Sequence, residues 1–406
     1  MSVLRPPTTA VTNTLARQLA GQLADRSDWS ILDEQWADLT AWVEDQTGGT
    51  VAVDGSGNCT FTVVDASIGL YANILGEIAE PYLVEFDATW AGPSGMRFRV
   101  SLITSADGLD RCYIELYNTA VNLGIDGSVT AVTPANYDND ARNRFMLAVD
   151  PLAKTVDAYI LHWTTANTDK YEYLGRYTMA VMPNRIRCYT GGGAGLATLG
   201  RLRITRPWAA VMGDSLATGS PLYSPVPRMA GRDDTAVTSS IAYWIEQAAG
   251  GDKRVLTLGR GGENLVTHVE PRITDWFGHI KPKAAIIWAG TNDINGSADL
   301  ADMRAALASI MTQLSTAGVV AIICNTVPRT LFPTTQKEID RVAWNAWLAQ
   351  AVPAAGGVLV DMDAAVRNPY DTDTIASPWT PDGVHLTATG YHRAARAIIE
   401  AIHQAT

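Results

Sequence analysis

Ser215, Asp382 and His385 are three side chains of this 406-residue sequence whose types and spacing could do chemistry together. Ser215 closely follows the apolar pair Val211-Met212, and Asp382 lies three residues before His385. At that spacing the aspartate can accept a hydrogen bond from Nδ1 of the histidine, which leaves Nε2 free to take the serine proton. Taken singly, Ser215 also fits a helix cap after a strand, and His385 an ordinary loop histidine. Together the three residues predict acyl transfer through a serine nucleophile.

Two glycine-containing turns carry groups that could stabilise a developing oxyanion. In Gly259-Arg260-Gly261-Gly262, the glycines allow a backbone N–H to approach a ligand closely. In Gly290-Thr291-Asn292-Asp293, the Asn292 side chain offers an amide N–H. An ordinary strand-to-helix turn and an Asx cap are the structural alternatives. The first turn also matches half of a dinucleotide fingerprint, but Asn264 stands where its last glycine belongs, so NAD is not expected.

Short apolar runs precede most of these candidate residues and have the pattern of buried parallel strands. After residue 205 such runs alternate with longer amphipathic stretches; they are Ala209–Met212, Val255–Leu258, Ala284–Trp288, Val319–Ile323 and Val358–Val360. Buried strands separated by helices predict a doubly wound α/β/α sheet. Ligands bind at the carboxyl ends of such strands, where Ser215, Gly262 and Asn292 fall.

The first half of the sequence has a different period. Runs with alternating apolar positions recur between Gly, Asn and Asp turns; they are Thr60–Val64, Tyr82–Phe86, Phe98–Leu102, Tyr113–Tyr117, Phe145–Val149 and Thr155–Ile160. This pattern predicts an antiparallel β-sandwich of the jelly-roll kind. Proline cannot join the interior of a ladder, so Thr205-Arg206-Pro207 is the predicted junction between a sandwich at 27–205 and an α/β domain at 206–406.

Residues 1–26 form a third predicted segment. Val11, Leu15, Leu19 and Leu23 recur every four residues, which is helical spacing with a broad apolar stripe. A helix that packs on its own sandwich fits this stripe, and so does a helix that joins copies of the chain into a homo-oligomer.

Composition and charge exclude several classes of partner. With 31 Lys and Arg against 42 Asp and Glu, the net charge is −11, which disfavours nucleic acid and anionic lipid surfaces. The longest apolar run, Gly318–Val327, is far short of the roughly 20 residues that span a bilayer. Pro6-Pro7 and Asn13 stand where a signal peptide needs apolar residues, so no export signal is expected.

The four cysteines are scattered and lack zinc-ligand spacing. Cys59, Cys112, Cys188 and Cys324 include no CxxC pair, so free buried thiols are favoured over a disulfide or a zinc site. Asp54, Ser56 and Asn58 follow a calcium-loop spacing in part, but Cys59 occupies the glycine position, so a hairpin turn is predicted there.

The four motifs of the second half, in this order, resemble the conserved blocks of the SGNH hydrolases, also called the GDSL esterase/lipase superfamily. The resemblance runs from Ala209 to about His403. Gly213-Asp214-Ser215-Leu216 matches the first block, Gly262 the second, Gly290-Thr291-Asn292-Asp293 the third and Asp382-Gly383-Val384-His385 the fifth. Gly261 is an alternative for the second block, and the spacing from Gly259 favours Gly262. Thr257-Leu258 replace the asparagine that usually precedes this block.

The resemblance implies a flavodoxin-like fold and a mechanism without metal or cofactor. Ser215 would attack an ester carbonyl, His385 would transfer the proton, and Asp382 would orient His385. The N–H groups of Ser215 and Gly262 and the Asn292 side chain would form the oxyanion hole. Asp214 and Asp293 are interpreted as turn and cap residues. His268, His279 and His392 have no paired serine and carboxylate in sequence, so surface or core roles are expected for them.

The substrate follows less directly from the sequence. The first half resembles a concanavalin-type lectin or glucanase sandwich, on the segment Trp36-x-x-Leu39-x-x-Trp42 and the recurrent strands, which favours a carbohydrate substrate. Trp90, Tyr137 and Trp163 are candidate aromatics for sugar stacking, with a place in the sandwich core as the alternative. The expected function is removal of short acyl groups, and of O-acetyl groups in particular, from a polysaccharide or glycan.

Two alternatives remain open at this point. A long-chain lipase or thioesterase of the same fold would need an apolar tunnel, whereas Thr218–Asp234 and Thr326–Thr335 are rich in Pro, Arg and Thr. The other alternative is a non-catalytic glycan-binding or phage tail attachment protein, which intact Ser215, Asp382 and His385 disfavour. An extracellular and a virion-associated location both fit the sequence.

Overall fold

The computed structural model describes the chain from residue 30 to residue 404 with gaps. The described ranges are 30–34, 42–45, 49–53, 58–64, 68–73, 80–91, 97–104, 110–117, 120–126, 128–132, 143–162, 170–191, 194–218, 240–250, 253–332 and 335–404. The predicted helix at Val11–Leu23, together with Trp36, Tyr137 and Trp163, lies outside these ranges.

Fifteen described strands form two antiparallel sheets in the first half of the chain. They are β1 Ser30–Glu34, β2 Val43–Asp45, β3 Gly49–Val53, β4 Cys59–Val63, β5 Ile68–Asn73, β6 Tyr82–Ala91, β7 Arg97–Ile103, β8 Asp110–Leu116, β9 Val121–Ile125, β10 Ser128–Ala131, β11 Asn143–Asp150, β12 Thr155–His162, β13 Lys170–Thr178, β14 Arg185–Gly191 and β15 Gly195–Thr205. One sheet runs β13-β12-β11-β6-β15-β4-β3 with β1 on β15, and the other runs β10-β9-β8-β7-β14-β5-β2. This arrangement confirms the predicted antiparallel region.

Side-chain alternation along the strands builds the sandwich core. In β4, Cys59, Phe61 and Val63 are buried while Thr62 between them is exposed. Phe61 meets Phe98 of the facing sheet with ring centroids 5.4 Å apart. β3 pairs antiparallel with β4, with Val53 opposite Cys59, while Asp54 and Ser56 of the predicted turn lie outside the described residues.

Trp90 is not available to stack on a sugar. Its side chain is 1% exposed and lies in the core between the two sheets, which contradicts its candidacy as a ligand-binding aromatic. The reason is register: Trp90 lies on the same face of β6 as Phe86 and Ala88, which point inward. Trp42 is buried in the same core, and Cys59, Cys112, Cys188 and Cys324 are free and buried.

The second half of the chain folds as a five-stranded parallel sheet flanked by helices. The strands are β16 Pro207–Gly213, β17 Arg254–Thr257, β18 Ala284–Trp288, β19 Val320–Cys324 and β20 Val358–Val360, in the order β17-β16-β18-β19-β20. The helices are α1 Ser215–Thr218, α2 Ile241–Ala248, α3 Glu270–Ile280, α4 Thr291–Asn295, α5 Leu300–Thr316, α6 Gln336–Ala354, α7 Met362–Val366 and α8 Ala388–Gln404. A π-helical turn, Leu265–Val269, precedes α3, and a 3-10 turn, Ser377–Trp379, precedes α8.

The order of the strands across the sheet changes direction at β16, next to the candidate residues. The sheet begins in β16, continues to the edge strand β17 and then crosses back to β18 on the other side of β16. In open parallel sheets, ligands bind at the carboxyl ends of the strands at this switch point. Ser215 follows β16 directly, so the fold puts it at the switch point.

The sandwich packs at the amino ends of the strands of the parallel sheet, on the side away from Ser215. Arg254, the first residue of β17, is buried and donates hydrogen bonds from Nε (2.5 Å) and Nη2 (2.7 Å) to Glu85 of β6. Tyr159 of β12 stacks on Trp276 of α3 with ring centroids 5.0 Å apart. Because β16 ends at Gly213, Ser215 and this interface lie at opposite ends of strands about 20 Å long.

The junction between the two halves is a single residue. β15 ends at Thr205 and β16 begins at Pro207. Proline has no N–H to donate to a strand ladder, and the first position of a strand tolerates this. The Pro207 carbonyl still accepts a hydrogen bond from Lys283 N–H (3.3 Å). Within the described ranges, no helix is long and apolar enough to cross a membrane.

Candidate active site

A tight turn at the end of β16 presents Ser215. Gly213 lies so close to β18 that a Cβ there would be 1.8 Å from the Trp288 carbonyl oxygen, so only glycine fits. The next residue, Asp214, accepts a hydrogen bond from Leu216 N–H through Oδ1 (2.9 Å) and starts the short helix α1. Ser215 is half-buried at the first position of this helix. The predicted cap role of Asp214 agrees with this contact.

Ser215, His385 and Asp382 form a continuous chain of hydrogen-bond contacts. His385 Nε2 is 3.0 Å from Ser215 Oγ, and His385 Nδ1 is 2.7 Å from Asp382 Oδ2. The other carboxylate oxygen of Asp382 accepts from the N–H groups of Val384 (2.9 Å) and His385 (2.8 Å). The loop can bend this way because Gly383 has φ +76°.

The environment of Asp382 favours its charged form. Partial burial by itself raises the pKa of Asp382, but the hydrogen bonds from the His385 ring and from the two backbone N–H groups outweigh burial and lower the pKa. An ionised Asp382 accepts the Nδ1 proton of a neutral His385, and Nε2 is then the acceptor that faces Ser215. This tautomer is the one a general base requires.

A type II turn after β17 lies beside the serine. Glu263 N–H donates to the Arg260 carbonyl (3.3 Å), and Gly262 at the third position has φ +81°, which glycine adopts without strain. A Cβ on Gly261 would be 4.0 Å from Ser215 Cβ. Glu263 N–H closes the turn, and the N–H groups of Gly261 and Gly262 donate no hydrogen bond to any residue that the structure describes. Both glycines are exposed.

The loop after β18 is fastened to this turn by two side chains. Asn292 donates from Nδ2 to the Glu263 carbonyl (3.0 Å). Asp293 accepts from the N–H groups of Leu265 (2.7 Å) and Val266 (3.2 Å), so it caps the π-helical turn rather than its own helix. One amide hydrogen of Asn292 remains after the bond to Glu263. The two contacts hold the second and third motifs in one rigid arrangement.

Two carboxyls beneath the site are fully buried. Burial raises the pKa of Asp214 to about 7, and nearby Asp293 and Glu263 add to the rise, while Leu216 N–H and Arg329 oppose it. Burial also raises the pKa of Asp293, against the hydrogen bonds from Leu265 and Val266. Neither carboxyl is in contact with solvent.

Sequence reasoning assigned no place in the site to Arg329 or Thr330, which lie in the loop after β19. Thr330 there donates from N (3.0 Å) and Oγ1 (3.2 Å) to the Gly383 carbonyl, next to Asp382. Burial lowers the pKa of its neighbour Arg329, and the negative charges of Asp214 and Asp382 oppose this change. The available signal was a Pro328-Arg329 pair after the carboxyl end of an apolar run, where ligands bind in such sheets.

His268, His279 and His392 lie outside this chain of contacts. His279 Nδ1 is 3.5 Å from Asp157 Oδ1 at the contact with the sandwich. His392 lies against Trp244 with ring centroids 4.9 Å apart. His268 is exposed and its Nδ1 accepts from Asn264 N–H (3.2 Å).

The fold and these motifs agree with comparisons against known proteins. Residues 211–393 match the model of the GDSL-like Lipase/Acylhydrolase family. The second half of the chain therefore contains a GDSL-like lipase/acylhydrolase domain, which confirms the resemblance drawn from the sequence.

Several solved structures match part of the chain at low identity. A GDSL-like lipase from Bacteroides thetaiotaomicron is 18% identical, with a TM-score of 0.39, over 50% of this chain and 90% of that chain. TesA is 17% identical, with a TM-score of 0.39, over 49% and 99%. The Bacillus licheniformis beta-glucanase is 14% identical, with a TM-score of 0.34, over 44% and 99%. A search of curated proteins finds no match.

Proposed function

We propose that this protein is a serine esterase that releases short acyl groups through a Ser215-bound acyl-enzyme. The observation that carries the proposal is the chain Ser215–His385–Asp382, with contacts of 3.0 and 2.7 Å. His385 Nε2 takes the proton of Ser215 Oγ as that oxygen attacks the ester carbonyl, and then protonates the leaving alcohol. Water attacks the acyl-enzyme in the second half of the cycle, with His385 again as base.

Three hydrogen-bond donors are proposed to stabilise the negative charge that develops on the carbonyl oxygen of the substrate. They are the N–H groups of Ser215 and Gly262 and the second amide hydrogen of Asn292. The Gly262 N–H donates no hydrogen bond to any described residue. The Asn292 amide is held by its hydrogen bond to the Glu263 carbonyl. Donors held in place before reaction need no reorganisation as the charge forms, and each typically contributes roughly 3–4 kcal/mol to barrier lowering.

The proposed substrate is an O-acetylated carbohydrate. Gly261, Gly262 and Thr330 around the serine are exposed, which suits an ester on a bulky polymer better than a long acyl chain that needs an apolar enclosure. Charged side chains, Arg260, Glu263 and Arg329, also lie in these loops. The sandwich would bind the same polysaccharide at a distance from the ester.

Hydrolysis of p-nitrophenyl acetate, butyrate and decanoate by the full chain tests the esterase and the acyl length. We expect kcat/KM to fall with chain length and Ser215→Ala to lose at least about a thousandfold on acetate. Ser315→Ala, at an exposed position of α5, is the control and keeps full activity. Ser215-independent hydrolysis would refute the esterase, and a preference for decanoate would favour the lipase or thioesterase alternative.

The carbohydrate is tested separately. Acetate release from acetylated xylan, pectin and acetylated amino-sugar polymers identifies the glycan, and a glycan array probed with full-length Ser215→Ala reports binding. Activity on acetylated monosaccharides without binding to any polymer would remove the proposed role of the sandwich.

A further inference from the structure

An arginine of α3 binds the turn that contains Gly262. Arg272 donates from Nε to the His268 carbonyl (3.2 Å) and from Nη1 to the Leu258 carbonyl (3.4 Å). Its Nη2 donates to Oε2 of Glu263, the residue that follows Gly262. One guanidinium therefore joins the residue after β17, the π-helical turn and the turn that lies beside the serine.

Glu263 connects this arginine to the loop after β18, because its side chain and its backbone bind different residues. The carboxylate is paired with Arg272, and its Oε1 lies 3.6 Å from Nη1 of Arg260. The backbone carbonyl of Glu263 accepts a hydrogen bond from Nδ2 of Asn292 (3.0 Å). Since both groups belong to one residue, fixing the carboxylate restricts the direction in which the carbonyl points.

The ion pair between Arg272 and Glu263 is largely shielded from solvent. Only 14% of the Arg272 side chain and 12% of the Glu263 side chain are exposed. An exposed ion pair contributes little, whereas a shielded guanidinium that also binds two carbonyl oxygens fixes the geometry of its partners. Burial and the neighbouring charge of Arg260 lower the pKa of Arg272 to about 10, against the effect of Glu263, so the guanidinium is charged at neutral pH.

We propose that Arg272 is a positioning residue, which fixes Glu263 so that the Glu263 carbonyl holds the Asn292 amide in the orientation that an oxyanion donor needs. The inference rests on the proposed esterase function. The bond to Glu263 uses one amide hydrogen of Asn292 and thereby directs the other. Loss of Arg272 frees the Glu263 side chain and widens the range of Asn292 orientations, which lowers the rate without weakening substrate binding.

Steady-state kinetics on p-nitrophenyl acetate separate this role from a contribution to stability. We expect Arg272→Gln to lower kcat by roughly tenfold to a hundredfold and to keep KM within about twofold of wild type. Arg176→Gln is the matched control, because it breaks an arginine–carboxylate pair with Asp157 (2.8 Å) in the sandwich and should keep the wild-type kcat. Urea unfolding shows whether each variant is folded. A wild-type kcat in folded Arg272→Gln, whatever its stability, overturns the proposal.

A double-mutant cycle shows whether Arg272 acts through Asn292. If it does, Arg272→Gln has little left to remove in an Asn292→Ala background, and the double variant should lie within about threefold of Asn292→Ala. Independent effects multiply, so a further loss as large as that of Arg272→Gln alone overturns the proposal. Glu263→Gln breaks the same ion pair from the other side and replaces Arg272→Gln in the cycle if that variant does not fold.

The side-chain amide of Asn292, followed by heteronuclear NMR, gives a readout that does not depend on turnover. Its pair of resonances is identified by its absence in Asn292→Ala. We expect the pair to shift in Arg272→Gln and to keep its position in Arg176→Gln. An unshifted pair in folded Arg272→Gln overturns the proposal. Failure of the esterase function would look different, because Ser215→Ala would then retain the wild-type rate while the Asn292 resonances still shifted in Arg272→Gln.

Discussion

His385 Nε2 lies 3.0 Å from Ser215 Oγ, although the two residues are 170 positions apart in the chain. Ser215 is fixed by the end of a central strand, and His385 by a loop that Asp382 and Thr330 hold in place. The contact therefore depends on two separate supports that meet at the carboxyl edge of the parallel sheet. This geometry puts the proposed base at the proposed nucleophile before any substrate arrives.

The Asn292 side chain is predicted to matter for kcat and little for KM. Asn292→Ala removes one proposed oxyanion donor and should lower kcat on p-nitrophenyl acetate by roughly a hundredfold to a thousandfold. Asn295→Ala at the end of the same helix is the matched control, since that side chain contacts Lys337. A kcat within a few-fold of wild type in Asn292→Ala would rule out the donor role.

Two glycines near the serine are predicted to respond differently to alanine. Gly213→Ala forces a Cβ to within 1.8 Å of the Trp288 carbonyl and should prevent normal folding. The Cβ of Gly262→Ala meets nothing within 4 Å, and a φ of +81° costs alanine about 1 kcal/mol. We therefore expect this variant to fold and to have a lower kcat than wild type. Circular dichroism melts and kcat measure both effects. A wild-type melt for Gly213→Ala would contradict the close approach.

The sequence was sufficient to place Ser215, Gly262 and Asn292 at strand ends. The apolar runs stop immediately before these motifs, and the alternating and continuous runs distinguish the two sheet types. Ala284–Trp288 and Val358–Val360 have the same bounds in sequence and structure. Periodicity could predict this much because it records burial, which is a local property of each strand.

Contacts between distant segments could not be read in the same way. Asp293 was interpreted as a turn and cap residue, but nothing in the sequence indicated that it accepts from the N–H groups of Leu265 and Val266 on a distant segment. Trp90 looked like a candidate sugar platform, but strand register turns it inward. Arg329 attracted no attention because a single basic residue in a loop has no periodic signature. The catalytic roles of Ser215, Asp382 and His385 stay predictions until they are measured.

Asp214 is predicted to make stability depend on pH near neutrality. Its pKa is about 7 in the folded protein and about 3.9 in an unfolded chain, so the folded state binds the proton more tightly. This contribution to stability is complete below about pH 4 and is lost as the pH rises to about 7.

Asp214→Asn should remove the loss of folding stability that accompanies the rise in pH to about 7. We expect a flatter stability profile between pH 5 and pH 8 in urea unfolding, and a variant more stable than wild type at pH 8 by about 1–2 kcal/mol. Asp302→Asn, at an exposed position of α5, should keep the wild-type profile. A parallel profile for Asp214→Asn would show that Asp214 is ionised in both states.

The buried pair Glu85–Arg254 is predicted to stabilise the contact between the two halves. Burial by itself raises the pKa of Glu85, but the charge and hydrogen bonds of Arg254 lower it well below the usual range. The pair therefore contributes stability above about pH 4.3, and this contribution is lost as the pH falls toward the folded-state pKa.

Glu85→Gln leaves Arg254 buried without its full partner and should cost about 3 kcal/mol at pH 7. Glu400→Gln breaks an exposed pair, with Arg396 at 3.7 Å, and should change stability by less than about 0.5 kcal/mol. Urea unfolding compares the two variants directly. Equal small effects would mean that water reaches the Glu85–Arg254 pair.

The most direct test of the central claim is covalent labelling of the full-length protein with a fluorophosphonate, followed by intact-mass measurement and peptide mapping. The account predicts one adduct, on Ser215, which is absent in Ser215→Ala, slowed in His385→Ala and unaffected in Ser315→Ala. A folded wild-type protein that acquires no adduct, or acquires it on another residue, would contradict the assignment of Ser215 as the nucleophile.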